Sequence, residues 1–182
     1  MYTETDYENV IKEVQAEFPA FSVVSKQKSN FMKAINVALK IITFGKMKTF
    51  MTTFTTTIGP TMYVPETWLT RFPSDRIITV RHERVHLRQS KKYGNILFSL
   101  MYMFLPLPIF FAYFRMKFEQ EAYEETLRAY YACYGMPALL SFHLRSNILE
   151  HFTSAEYFWM WPWKKSLNRW YDKAVVNIIA NG

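Results

Sequence analysis

Cysteine is nearly missing from this chain: Cys133 stands alone among 182 residues. One thiol cannot build an intrachain disulfide framework, and it excludes a zinc ribbon or a Cys-ligated cluster, which need several thiolates. No linker rich in Pro, Gly or Ser, no internal repeat and no low-complexity tract interrupts the sequence, so a single domain spanning 1–182 is expected. Residues 1–17 are dotted with charge and hold no continuous apolar run, which excludes the apolar region of a secretory signal and makes a cytoplasmic protein the expectation. Acidic residues are the minority, 15 against 22 basic, for a net charge of +7. The basic residues are scattered in pairs such as Lys91-Lys92 and Lys164-Lys165 and form no long tract, which argues against a nucleic-acid partner while leaving an attraction to anionic surfaces.

What the chain does have is apolar surface. Half of its residues are hydrophobic and 18% are aromatic, enough for a packed core. Val10, Ile11 and Val14 recur at helical spacing in a segment that ends near Phe18-Pro19; Phe31, Ile35, Leu39 and Ile42 do so before Gly45. From Lys48 to Val64 the composition turns to Thr, Phe, Met and Tyr, broken by Gly59-Pro60, which predicts a hairpin or a pair of strands. Ser74 is placed to cap a helix with Asp75 in its first turn, and Gly94 to end it after Tyr93. Further helices are expected over 109–134, ending at Gly135, then over 138–151 and 163–179. The fold class is therefore α+β and mostly helical, with a small strand region ahead of the helix at 74–93. N-terminal helices cover about 5–43, a central core about 48–135 and a C-terminal helical part about 137–182.

The run from Ile96 to Phe114 holds nineteen residues without a charge. That is close to the ~20 needed to cross a bilayer. Pro106 and Pro108 split it, each removing a backbone donor, and basic residues flank both ends. A proline-broken loop or helical hairpin is expected in place of a span, its apolar side chains either building core or exposing a patch to a membrane or a partner.

The chemistry sits just before this run. His82-Glu83-Arg84-Val85-His86 reads H-E-x-x-H inside a predicted helix. Residues four apart lie on one helical face, so the two imidazoles can bind one zinc ion, and Glu83 beside them can act as general base toward a zinc-polarised water and then as acid toward the leaving amine. Ile78, Val85 and Gln89 accompany the histidines, which makes the face at least partly buried. Catalytic zinc usually takes three protein ligands. Glu119 is the leading candidate for the third, because Ala122 three residues on would let its helix pack closely against the histidine helix; Glu121 is the alternative, and Cys133 reads better as a small core residue. Glu121, Glu124 and Glu125 are expected to be solvated or paired with Lys117 and Arg128.

HERVH followed downstream by a helix reading E-x-x-A, here EQEA at 119–122, resembles the gluzincin metallopeptidases. The ordered set HExVHxRQ, a PLP-containing apolar segment, FxxEAYxET and FTSxxYxWMWP is similar to a family of bacterial and phage proteins described as metallopeptidases, over about Thr56 to Asp172. The resemblance implies a zincin-like domain, a peptide or protein substrate and a zinc ion on His82, His86 and Glu119. Membrane-bound gluzincins carry Asp after the alanine where this chain has Tyr123, so the partner that orients a histidine ligand does not carry over. An oxyanion donor is also expected, with Tyr157 the first candidate and His143 and His151 behind it. Zincins resemble one another in pairing an extended substrate with a strand, for which Thr56–Val64 is the candidate edge. Two rival readings remain: a non-catalytic protein that the same zinc stabilises, and a membrane-peripheral module built on 96–114 in which HERVH is incidental.

Overall fold

The computed structural model describes residues 2–42, 45, 49–103, 112–154, 160–161 and 163–181. The chain is mostly helical, with one small sheet. It divides into two compact units, 2–83 and 84–182, and the division falls inside a single continuous helix.

In the first unit, α1 (Glu4–Glu17) opens on a reciprocal cap: the Asp6 amide donates to the Thr3 hydroxyl at 3.3 Å, and the Thr3 amide donates to the Asp6 carboxylate at 2.7 Å. Its buried side is Tyr7 and Val14. The chain then forms β1 (Ser22–Ser25), a single 3-10 turn (Lys26–Lys28) and α2 (Asn30–Ile42). The expected hairpin is present as β2 (Thr56–Ile58) and β3 (Thr61–Val64), joined through Gly59, whose φ of 56° is open to glycine at little cost. β3 is the middle strand, antiparallel to β2 and parallel to β1 with Val23 opposite Met62. This corrects the expected substrate edge in part. Thr61–Val64 has its main-chain bonds taken on both sides, so only the three residues of β2 in that stretch lie at an edge of the described sheet.

After a 3-10 turn over Glu66–Thr70 comes α3 (Pro73–Tyr93). It starts two residues earlier than Ser74 capping predicted: Pro73 occupies the first turn, where the missing N–H costs nothing, and Ser74 is inside the helix and buried. Gly94, at φ 81°, stops it as expected.

The second unit continues with α4 (Asn95–Met103), α5 (Ala112–Leu139), α6 (Phe142–Thr153) and α7 (Lys164–Asn181). Gly135 breaks α5 with φ 76° and ψ −176°, two residues before Pro137, at the predicted stop. Leu127, Leu139, Phe152 and Leu167 are fully buried in one cluster shared by α5, α6 and α7. That cluster anchors α5, whose N-terminal half carries Glu119. Pro106 and Pro108 lie outside the described residues. Among those described, no helix is long and apolar enough to cross a membrane.

Candidate metal centre

α3 sets the first two positions of the site. Four residues of helix amount to about one turn, so His82 and His86 project from the same side of α3. Glu119, in the N-terminal half of α5, completes a group in which one ligand atom from each of the three residues lies within 4.8 Å of the others. His86 and Glu119 are buried and His82 is half-buried. Ala122 is fully buried, which fits the close helix approach expected from its small side chain.

Hydrogen bonding specifies which nitrogen of His86 faces Glu119. The Gln89 side-chain amide donates to the Phe118 carbonyl at 3.1 Å and to the Glu121 carboxylate at 2.8 Å. Both of its N–H groups are thereby used. Its remaining oxygen, 2.9 Å from His86 Nδ1, can only accept, so Nδ1 carries a proton. In the neutral imidazole the lone pair is then on Nε2, and Nε2 stands 3.6 Å from Glu119 Oε1. That gap is too wide for a hydrogen bond. It matches two ligands of one tetrahedral ion, which at bond lengths of about 2.1 Å sit roughly 3.4 Å apart. The donor set, two imidazoles and a carboxylate, is one that zinc accepts.

The carboxylate is held as well. Tyr102 Oη donates a hydrogen bond to Glu119 Oε1, and the Tyr102 ring meets His86 edge-on with centroids 5.6 Å apart. Phe98 packs on Tyr102 at 5.6 Å and on Phe118 at 5.3 Å, closing an apolar wall beside the ligands.

Glu83, between the two histidines in sequence, is buried. In its own unit Glu83 interacts with Lys26, which is fully buried, donates to the Phe50 carbonyl at 2.8 Å and sits 3.7 Å over the Phe50 ring. Burial pulls the Lys26 ammonium down to about 8, and the Glu83 carboxylate opposes that shift.

The other expected residues distribute as follows. Glu121 is exposed and accepts from Gln89, while Glu124 and Glu125 pair with Arg128 at 4.0 and 3.6 Å. Lys117 is the partner of neither. Cys133 is half-buried in α5 and outside the ligand group. His143 and His151 lie on α6, bonded to Asn147 at 3.2 and 2.6 Å, and are not part of the group either. Tyr157 lies outside the described residues. Sequence reasoning missed Tyr102 and Lys26, whose partners come from tertiary contact. Gln89 it had seen only as a buried-face residue, although its i+3 spacing from His86 was the available signal.

Compared with protein-family models, curated proteins and solved structures, the chain matches none.

Proposed function

We propose that this protein is a zinc-dependent metallopeptidase of zincin-like type, with His82, His86 and Glu119 as ligands and Glu83 as general base and acid. The observation that supports it most is the pairing of two acceptor atoms, His86 Nε2 and Glu119 Oε1, at 3.6 Å with the His86 proton held on the far nitrogen by Gln89. Such a face attracts a divalent cation. Bound there, zinc would lower the pKa of water toward ~7 and polarise a substrate carbonyl.

The protein's own part is to orient and to move a proton. Gln89 fixes the His86 ring and Tyr102 fixes the Glu119 carboxylate, so neither ligand must reorganise. Glu83 takes the proton of the attacking water as the carbon–oxygen bond forms, and returns it to the amide nitrogen as the carbon–nitrogen bond breaks. Lys26 and Glu83 interact electrostatically within one compact unit, which places a cation on the side of the proposed base. The preference for a peptide over another amide rests on the sequence resemblance alone.

Cleavage of a peptide library, with and without chelator, tests this reading. Glu83→Gln should keep zinc and lose roughly 10²- to 10⁴-fold in hydrolysis. Zinc retained with cleavage unchanged would remove Glu83 from the mechanism; zinc bound with no chelator-sensitive cleavage at all would favour a metal-stabilised interaction protein.

A further inference from the structure

α4 has two faces of different character. At about 100° per residue, Phe98 and Tyr102 fall together, and these are the residues that pack on Phe118, His86 and Glu119. Ile96 and Leu100 fall on the opposite side with Leu97 at its margin, and they are 80%, 46% and 51% exposed. A nine-residue helix with no charged residue therefore turns its aliphatic side outward. Single exposed leucines need no explanation, but a contiguous uncharged face does. Tyr113 and Phe114, where α5 begins, add two more exposed rings.

Charge in the sequence that flanks the face has one sign, although Lys92 also borders a cleft that Glu121, Glu124 and Glu125 line. From Ser90 to Phe118 the sequence contains Lys91, Lys92, Arg115 and Lys117 and not one acidic residue. Lys91 and Lys92 end α3 immediately before α4, and both are exposed, as is Lys117. Aliphatic and aromatic side chains bordered by lysine and arginine are the composition that enters the interface of an anionic bilayer, the apolar groups among the acyl chains and the cations at the headgroups. A protein partner would need a matching acidic, apolar groove; a bilayer with anionic lipid supplies both properties on any patch of its surface.

We infer that the α4 face, with the lysine pair Lys91-Lys92 that precedes it and the basic residues Arg115 and Lys117 that follow in sequence, docks this protein on anionic lipid surfaces. The docking is peripheral, since the helix is too short to span. Because the inner side of the same helix carries Tyr102 to Glu119, docking also brings the candidate metal centre close to the membrane. The inference does not depend on the hydrolase reading, as the exposed face is there whatever the three ligands bind.

Co-sedimentation of the full chain with vesicles tests it, run on zinc-loaded and chelated protein so that a failure of docking is read separately from a failure of metal binding. Vesicles of phosphatidylcholine containing phosphatidylglycerol should capture the protein, and pure phosphatidylcholine should capture far less. Lys91→Glu/Lys92→Glu should weaken capture by at least tenfold, on the basis of roughly fivefold per basic side chain, and raised salt should weaken it too. Leu97→Asp/Leu100→Asp should abolish it, with an unchanged thermal transition showing that the fold is intact. Leu97→Ala/Leu100→Ala, a milder pair, should give an intermediate loss. Equal capture by neutral and anionic vesicles, or capture unaltered by both sets of variants, would overturn the inference. So would a wild-type dimer that the aspartate variants turn into a monomer, since a second copy would then cover the face.

Discussion

The Gln89 side-chain oxygen accepts the Nδ1 proton of His86 at 2.9 Å, while its amide nitrogen holds the backbone carbonyl of Phe118, one residue before Glu119. One side chain thus sets the tautomer of one candidate ligand and the position of the segment that carries another candidate.

Gln89→Ala should therefore lower zinc affinity by about 10- to 100-fold. The loss should be visible in a competition titration with a chelating dye, at a zinc-to-protein ratio that still reaches one at saturation. Gln89→Glu, which keeps an acceptor for Nδ1–H but loses both donors and faces Glu121, should recover part of the affinity while lowering the unfolding midpoint. Identical affinities for all three proteins would show that the Gln89 bond to His86 has no role in binding.

Lys26 makes stability depend on pH in a defined direction. Its folded value is about 8, against 10.5 for the ordinary side chain. Between those values the unfolded chain holds a proton that the folded chain has released, so stability rises with pH over about 8 to 10.5. Below 8 both states are protonated and the burial penalty is present in full. Lys26→Met removes the titration. The difference in urea midpoint between wild type and Lys26→Met should move in favour of wild type as pH rises from 7 to 10; parallel profiles would contradict the buried position.

Arg76 ties α3 to α1. Its guanidinium is 3% exposed, lies 4.4 Å over the Tyr7 ring and donates from Nη1 to Glu4 Oε1 at 2.9 Å, with a second bond from Nη2 to Oε2. Glu4 itself is more than half exposed, so water can replace part of what it supplies. Glu4→Ala should cost about 1–3 kcal/mol in chemical unfolding, chiefly from leaving a buried guanidinium without its acceptor. A change within experimental scatter would mean that water meets the need entirely.

Much of this arrangement was legible in the sequence because local signals and tertiary demands agree. Gly94 and Gly135 sit at positive φ where helices had to stop, and Gly59 turns the hairpin. His82 and His86 share a face because four residues on a helix allow nothing else. Glu119 was separable from Glu121 through Ala122, whose complete burial shows where α5 packs tightly. β1 escaped notice because Ser-Val-Val-Ser is only four residues long, lacks alternation and is defined by parallel pairing with a strand 39 positions away, Ser22 against Thr61. Lys26 escaped for a related reason. A lysine in a polar stretch, Ser25 to Ser29, reads as solvated, and only the packing of Phe50 against it makes it interior. The outward face of α4 was undecidable from composition, since an uncharged helix fits a core and a membrane surface equally well.

Metal content tests the account most directly. Zinc measured on the purified full chain, after dialysis against buffered trace zinc, should come to one ion per chain for wild type, Glu83→Gln and Glu121→Ala, and to a small fraction of that for His82→Ala, His86→Ala and Glu119→Ala. No zinc on the wild type, or an ion that survives loss of Glu119 and is lost with Glu121, would contradict the three-ligand centre.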